Sequence, residues 1–191
     1  MLIGGTGPLD HRLLGALYAA DRPALGGAAI AVTNIGSWSV LVPLTLLGAA
    51  WLLYRRQARA TLLLLAITLA GRLLVDLQKL GIGRHRPADQ IHLVPVSNLS
   101  FPSGHAGNTM IVFLSLALLV APRRGRHLAV AVALLGTVAV GITRPMLGVH
   151  WPSDVVGGWA FGAAWVLVML GLAERLGQAD TGGFNSQGRG Q

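Results

Sequence analysis

The side chains best suited to chemistry lie in three short polar segments of an otherwise apolar sequence. These segments are 79–87 with Lys79 and Arg86, 102–105 with the sequence Pro-Ser-Gly-His, and 143–154 with Arg144, His150 and Asp154. A cluster of lysine and arginine side chains repels itself unless an anion neutralises it. Arginine forks match phosphate oxygens in bidentate fashion, and lysine adds a point charge. If the three segments meet in space, they form a phosphate-binding site.

The segment Pro102-Ser103-Gly104-His105 precedes an apolar run at 106–121 and is typical of a helix start. Proline costs no hydrogen bond there, and Ser103 has a side chain that can cap the helix. The first amides of a helix lack internal partners and carry partial positive charge, so they attract anions. We therefore expect Ser103 and these amides to add donors around a phosphate, with His105 as a titratable group beside it.

His150 and Asp154 are four residues apart at the start of a predicted helix, with Pro152 in its first turn. This spacing lets the carboxylate hold one imidazole nitrogen and leaves the other free to act. The implied reaction is in-line phosphoryl transfer, in which His150 attacks phosphorus and the cations stabilise the equatorial oxygens. His105 would protonate the leaving group, and water would then release phosphate from the histidine.

Metal binding is the alternative use of this residue set. His105, His150 and Asp154 carry donor types that also suit zinc, and the chain has no cysteine. The neighbouring cations would oppose a divalent metal ion strongly. We therefore expect neither a metal ion nor another cofactor.

Composition indicates where these segments are held. Of 191 residues, 53% are hydrophobic and 12% are charged, whereas soluble domains carry about 25% charged residues. The long apolar runs predict an all-α polytopic membrane bundle of about five spans in one domain, 1–175. The predicted spans are 27–54, 60–79, 106–121, 128–142 and 152–172. Apolar spacing at 10–20 favours an amphipathic helix in the headgroup region over a disordered leader, and residues 176–191 are predicted to be a disordered tail.

The arginines predict the orientation of the bundle. The chain carries a net charge of +8, but its arginines stand at the ends of apolar runs, which argues against nucleic acid as a partner. The short loops 55–59 and 123–126 are rich in arginine and contain no acidic residue, so they are predicted to be cytoplasmic. The three polar segments then face the periplasm or exterior of the plasma (inner) membrane.

The three segments together resemble the signature motifs of the type-2 phosphatidic acid phosphatases, a family of the acid phosphatase and vanadium haloperoxidase superfamily. The motifs are Lys-x6-Arg-Pro, Pro-Ser-Gly-His and Arg-x5-His-x3-Asp. The resemblance implies metal-independent hydrolysis through a phosphohistidine, with His150 as nucleophile, Asp154 as its partner and His105 as acid. The phosphate binders that it implies are Lys79, Arg86, Ser103, Gly104 and Arg144. Thr143 stands where the family usually has serine and keeps a hydroxyl group.

Five spans in a short chain look like the compact bacterial undecaprenyl-diphosphate phosphatases of this family. That resemblance implies a membrane lipid as partner and hydrolysis of undecaprenyl diphosphate to undecaprenyl phosphate and phosphate. Phosphatidic acid and phosphatidylglycerophosphate are the alternative substrates, and lipid phosphotransfer is an alternative reaction. A protein that binds or translocates a lipid headgroup without hydrolysis is the alternative outside enzymes.

Several further polar residues near the motifs admit more than one role. Arg84 and His85 are predicted to lie at the rim of the site. Arg72 and Asp76 are four apart in a predicted span and can pair, either for function or to steady the helix. Asn108 is one turn from His105 and would either orient it or pack against a neighbouring helix. Pro102 is a further candidate through its place at the helix start.

Overall fold

The computed structural model describes residues 6–96 and 99–187, with side chains as far as residue 176. Seven α-helices make up the fold across these residues, and a single 3₁₀ turn, Arg123–Gly125, stands before the sixth. The helices are α1 Pro8–Leu17, α2 Pro23–Ile35, α3 Trp38–Tyr54, α4 Ala58–Ile82, α5 Gly104–Leu119, α6 Arg126–Met146 and α7 Pro152–Gln187. The predicted all-α membrane bundle is confirmed.

Helix α5 lies at the centre of the bundle and packs against α3, α4, α6 and α7. Its 16 residues make it about 24 Å long, and ten of them are buried. The main core joins α4, α5 and α7 through Ile67, Val75, Met110, Ile111, Leu114 and Val166. The other long segments, Pro23–Tyr54, Ala58–Ile82, Arg123–Met146 and Pro152–Leu176, are long and apolar enough to cross a membrane. Their exposed leucine and valine side chains suit contact with lipid.

The first predicted span, 27–54, is two helices rather than one. The chain breaks between α2 and α3 at Gly36 and Ser37. A Cβ atom on Gly36 would lie 2.6 Å from Val140 Cγ1 and 2.8 Å from Thr109 Oγ1, so only glycine allows this close approach. The same Cβ would be 3.2 Å from His105 Cδ2, so the backbone at the break lies close to the His105 side chain.

Helix α1 is amphipathic as predicted, although it spans Pro8–Leu17 rather than 10–20. Leu9 and Leu13 are exposed, whereas Asp10 and Leu14 are buried against the bundle. The helix contacts α6 and α7. Its acidic residue therefore faces the protein, which an amphipathic pattern does not predict.

The three polar segments meet at one end of the bundle, because consecutive spans run in opposite directions. Helix α4 ends there, α5 begins, α6 ends and α7 begins. Helix α6 continues to Met146, four residues beyond the predicted span, so Arg144 lies in its last turn. The backbone of 176–187 is helical where the sequence predicts a disordered tail, and 188–191 lie outside the described residues.

Candidate active site

A polar cavity of about 270 Å³ opens where these helix ends meet. Seven of the residues predicted for the site line it: Lys79, Arg86, Gly104, His105, Asn108, Arg144 and His150. Its remaining lining residues are Gly36, Trp38, Leu41, Arg72, Asp76, Pro95 and Val96. Cations from two of the polar segments and both motif histidines therefore share one small volume.

The hydrogen bonds of His150 determine which ring nitrogen is free to react. Its Nδ1 lies 3.3 Å from Asp154 Oδ2, and its Nε2 lies 3.0 Å from Arg86 Nη1. A guanidinium group can only donate, so Nε2 must accept and carry the lone pair, and Nδ1–H then faces the carboxylate. Burial, together with the charge of Arg86, holds the pKa of His150 well below its ordinary 6.5. At neutral pH the imidazole is therefore neutral, with Nε2 as its nucleophilic atom.

Asp154 is fully buried, and its carboxylate accepts hydrogen bonds on both oxygens. Ser100 Oγ and the Trp151 backbone amide donate to Oδ2, the amide at 2.9 Å. Arg84 Nη1 donates to Oδ1 at 2.6 Å. The prediction that Arg84 lies at the rim is wrong, because this side chain is 4% exposed and binds the carboxylate directly.

Neutral acceptors hold the cations of the cavity in place. Lys79 Nζ donates to the Pro102 carbonyl at 2.9 Å, and Arg144 Nη1 donates to Thr33 Oγ1 at 2.7 Å. Burial lowers the pKa of Arg86 to about 10, so this side chain is still charged at neutral pH. Since carbonyl and hydroxyl oxygens position the groups without neutralising them, positive charge remains for an anion.

Ser103 occupies the position before α5 but does not cap it. Its side chain makes no capping hydrogen bond, while its backbone amide donates to the Asp154 carbonyl at 3.0 Å. The residue is fully buried, and Oγ has no hydrogen-bond partner among the residues that the structure describes. The predicted cap is therefore wrong, and the hydroxyl is a buried polar group next to the cavity.

The first turn of α5 lies along the cavity wall. Gly104 begins the helix, and a Cβ there would be 3.7 Å from Lys79 Cε, so glycine keeps the lysine stem close. His105 follows, and Asn108 lines the cavity one turn later. The predicted acid, His105, and the predicted nucleophile, His150, thus approach the same volume from α5 and from the turn before α7.

Two secondary candidates have other roles. Thr143 donates its hydroxyl to the Val140 carbonyl at 2.6 Å within α6 and is not among the cavity-lining residues. The structure therefore does not bring this hydroxyl to the site, because the helical backbone satisfies it. Pro102 contributes its carbonyl oxygen, the acceptor for Lys79, rather than a place inside the helix.

Asp10 is a contributor that sequence reasoning missed. Its Oδ2 accepts from Arg84 Nη2 at 2.7 Å, and its Oδ1 accepts from the Ser153 amide at 2.9 Å. Burial opposes ionisation, but the hydrogen bonds from Ser153 and Arg84 outweigh it and keep the pKa of Asp10 below its ordinary 3.8. No local pattern in the sequence indicates this contact, because Arg84 lies 74 positions away and its burial is evident only in the fold.

Metal-ligating side chains do not cluster in this part of the molecule. No group of three or more His, Cys, Asp or Glu side chains suited to a metal ion occurs within 6–96 and 99–187. In the cavity, His105 and His150 lie among four cationic side chains, Arg72, Lys79, Arg86 and Arg144, and one lining carboxylate, Asp76. This donor set fits a phosphate group better than a divalent ion.

Residues 59–177 of the chain match the family model described as the PAP2 superfamily. The chain belongs to the PAP2 superfamily. It is 32% identical over 172 residues to phosphatidylglycerophosphatase B of Bacillus subtilis (strain 168), covering 87% of this chain and 84% of that protein. It is 35% identical over 150 residues to the decaprenylphosphoryl-5-phosphoribose phosphatase of Mycobacterium tuberculosis (strain ATCC 25618 / H37Rv), covering 75% of this chain and 77% of that protein.

The fold has a solved counterpart among PAP2 enzymes. The crystal structure of a transmembrane PAP2-type phosphatidylglycerolphosphate phosphatase from Bacillus subtilis superposes with a TM-score of 0.80 at 32% identity. The match covers 87% of this chain and 85% of that one. These similarities confirm the predicted family and show a membrane phosphatase that hydrolyses lipid phosphates. The relatives are named for different lipids, so similarity assigns a lipid phosphate and not a particular lipid.

Proposed function

We propose that this protein hydrolyses the terminal phosphate of a membrane lipid phosphate or diphosphate through a phosphohistidine on His150, without a metal ion. The observation that carries the proposal is the state of His150. The ring is neutral, its Nδ1 is held by Asp154, and its Nε2 carries the lone pair, which accepts from Arg86 in the free protein, at a cavity that Lys79, Arg86 and Arg144 line.

In the first step, Nε2 of His150 attacks phosphorus while the bond to the leaving oxygen breaks. The positive charge of the three cations stabilises the equatorial oxygens, and the Ser103 hydroxyl is a further hydrogen-bond donor to them. His105 donates a proton to the leaving oxygen, and the bound phosphate favours the protonated form of this imidazole. In the second step, water attacks the phosphohistidine, His105 takes its proton, and inorganic phosphate leaves with His150 neutral again.

An apolar groove continues from the cavity and supports a lipid substrate. The groove has a volume of about 170 Å³ and lies between α3, α4 and α5. It shares Trp38, Leu41, Arg72 and Asn108 with the cavity, so headgroup and chain sites are continuous. Its far side includes Leu46 and other exposed apolar side chains of the outer surface. A headgroup in the cavity therefore leaves its acyl or prenyl chain in the groove and the bilayer.

Undecaprenyl diphosphate is the first candidate substrate. A fourth cation, Arg72, lines the cavity where the groove begins. Its guanidinium lies 3.2 Å from the centroid of the Trp38 ring and forms the predicted pair with Asp76 at 3.5 Å, a contact that leaves its other N–H groups for a phosphate. This position suits the phosphate nearer the chain while the terminal phosphate lies beside His150. One of the relatives is named for a polyprenyl lipid. Phosphatidylglycerophosphate is the second candidate, favoured by the relative that covers 87% of this chain.

We further propose that the site faces the periplasm or exterior and that the protein resides in the plasma (inner) membrane. Three arginines stand in the loop 55–59 and three in 123–126, at the end of the bundle opposite the cavity. An excess of arginine in short loops is typical of the cytoplasmic side. The cations on the other side have a chemical reason to be there, since they surround the headgroup.

The test is phosphate release in detergent with EDTA present, from undecaprenyl diphosphate, phosphatidylglycerophosphate and phosphatidic acid. Wild type is compared with His150→Ala, and His127→Ala, an exposed histidine at the opposite end, is the matched control. We expect wild type and the control to release phosphate and His150→Ala to lose about 10³-fold or more. Loss of wild-type turnover in EDTA would contradict the metal-free mechanism.

The same assay separates the alternatives. Transfer of phosphate to a second lipid alcohol, without free phosphate, would indicate a phosphotransferase. Full function in His150→Ala would indicate a protein that only binds or translocates a headgroup. Preference for phosphatidylglycerophosphate over undecaprenyl diphosphate would leave the mechanism intact and change the substrate to our second candidate.

A further inference from the structure

We propose that Asp10, in the N-terminal helix α1, is a positioning residue for the reaction and acts on His150 through Arg84 and Asp154. The inference rests on the proposed function, because it concerns the orientation of the nucleophile. Asp10 does not line the cavity and lies outside the three motifs. Its influence on catalysis must therefore pass through other side chains.

The Asp10 carboxylate is 5% exposed and accepts hydrogen bonds on both oxygens. Oδ2 accepts from Arg84 Nη2 at 2.7 Å and from Ser153 Oγ at 2.6 Å. Oδ1 accepts from the Ser153 amide at 2.9 Å. Three charge-assisted bonds in a buried setting make this a fixed contact rather than a surface ion pair.

Arg84 connects Asp10 to Asp154. Nη2 binds Asp10, while Nη1 of the same guanidinium donates to Asp154 Oδ1 at 2.6 Å and to Ser153 Oγ at 2.7 Å. The guanidinium is planar, so the positions of Nη1 and Nη2 relative to each other are fixed. Because Asp10 holds one end of this plane, it determines where the other end meets Asp154. The Oδ2 atom of Asp154 in turn faces His150 Nδ1.

The start of α7 supplies a second route to the same carboxylate. The amide of Ser153 is one of the first amides of α7, which have no acceptor within the helix. Asp10 satisfies this amide from another helix, and its negative charge suits the positive end of the helix dipole. Asp154 is the next residue in that turn, so Asp10 also holds the backbone that carries it.

A purely structural role for Asp10 predicts a different result. Such a role would lower the amount of folded protein or its melting temperature, while the folded fraction kept its normal kcat. A positioning role predicts that kcat falls in folded protein and that KM changes little, because the cations that bind phosphate do not contact Asp10.

The experiment measures kcat and KM for lipid phosphate hydrolysis by full-length wild type, Asp10→Asn and Asp21→Asn, with Tm recorded for each. Asp21 is an exposed acid just after α1 and is the charge-matched control. For Asp10→Asn we expect kcat to fall about tenfold, as for other residues that orient a reacting group, with KM within about twofold. Asp21→Asn should match wild type.

A double-mutant cycle with Arg84→Gln tests the route. If Asp10 acts through Arg84, adding Asp10→Asn to Arg84→Gln changes kcat by less than about twofold. If Arg84→Gln does not fold, Ser153→Ala takes its place, with the expectation that the two losses are less than multiplicative. Fully multiplicative losses would overturn the proposed route.

The possible failures are distinguishable. Active wild type with an unchanged kcat in Asp10→Asn, or a change in KM alone, overturns the inference and leaves the proposed function standing. Absence of turnover in wild type on every lipid phosphate overturns the proposed function and the inference with it.

Discussion

The two walls of the cavity differ in how their polar groups are satisfied. On the His150 wall, Asp154 accepts from Ser100, Trp151 and Arg84, and the carboxylate is buried. On the phosphate-binding side, two atoms are buried without a hydrogen-bond partner among the residues described here: Nε of the cavity-lining Arg144, and Oγ of Ser103, which precedes the cavity-lining Gly104 and is not itself a lining residue. The Asp154 carboxylate already has its hydrogen bonds in the free protein, whereas the other side has donors available for a ligand.

This difference shows how one cavity both orients a nucleophile and binds an anion. A nucleophile must be held within a narrow range of geometry before substrate arrives, so its supporting hydrogen bonds are made within the protein. Donors for a phosphate are useful only if the protein does not already satisfy them. Buried unsatisfied donors cost about 1–3 kcal/mol each, and a bound phosphate recovers that cost.

Replacing Asp154 with asparagine disrupts the hydrogen bonds that orient His150 and should cause the largest loss of kcat. An amide in place of the carboxylate no longer favours the tautomer with the lone pair on Nε2 of His150. We expect kcat to fall about 10⁴-fold, as in a protease triad whose aspartate is replaced in this way. The measurement is phosphate release by folded protein, with Asp89→Asn in the exposed loop as control. A loss below tenfold would mean that Asp154 does not orient the nucleophile.

Ser103→Ala tests the wall that presents donors. Loss of this hydroxyl should lower kcat by about 10²–10³, the usual cost of one transition-state donor. Melting temperature should stay unchanged or rise, because the hydroxyl has no partner among the described residues. Ser115→Ala is the matched control, because it removes a second buried hydroxyl that has no hydrogen-bond partner among the described residues and lies further along α5, away from the cavity lining. A marked loss of stability without loss of activity in Ser103→Ala would contradict the distinction between the walls.

Thr33→Val tests how the cations are held. The Thr33 hydroxyl accepts from Arg144 at 2.7 Å, and valine has nearly the same shape without that acceptor. A hydrogen bond to a charged group is worth about 1.5–3 kcal/mol, so we expect kcat/KM to fall about tenfold or more. Thr61→Val is the control, since Thr61 donates to its own helix at 3.1 Å, far from the cavity. Equal kinetics in the two variants would show that Arg144 needs no such support.

The lowered pKa of His150 is the smallest effect that we predict. Burial and Arg86 lower its pKa, so the neutral imidazole persists as the pH falls through 6.5, where an ordinary histidine becomes protonated. NMR of histidine-labelled protein without substrate should show the His150 signal, assigned by its loss in His150→Ala, titrating below pH 6.5. A midpoint at or above 6.5 would mean that the cations do not act on this ring.

The motifs predicted three of the cations and both histidines that line the cavity. Lys79, Arg86 and Arg144 lie together, as do His105 and His150, because antiparallel spans bring their ends to one side of the bundle. Apolar runs also predicted the helices to within a few residues, apart from the break at Gly36. That break depends on close contact with Val140 and other distant residues, which local sequence does not encode. Of the five predicted spans, four are long and apolar enough to cross a membrane among the described residues, whereas α5 is a shorter apolar helix of 16 residues.

The residues behind the site could not be predicted in the same way. Asp10 and Thr33 are ordinary residues of an amphipathic and an apolar helix, and their partners lie 74 and 111 positions away. The placement of Arg84 at the rim failed because Arg84 stands between the motif's own positions, and the motif carries no signal for its buried contacts with Asp10 and Asp154. The prediction for Thr143 is not supported either. Its place in the motif suggested a hydroxyl available to phosphate, but that hydroxyl donates to the Val140 carbonyl of its own helix.

The most direct test of the account is to trap the intermediate. Protein is mixed with substrate labelled in its terminal phosphate and quenched under alkaline conditions, and the labelled peptide is then mapped. The account predicts an acid-labile phosphate on His150 of wild type. It predicts no label in His150→Ala and unchanged labelling in His127→Ala. Active wild type that carries no label on His150, or that carries it on another residue, would contradict the central claim.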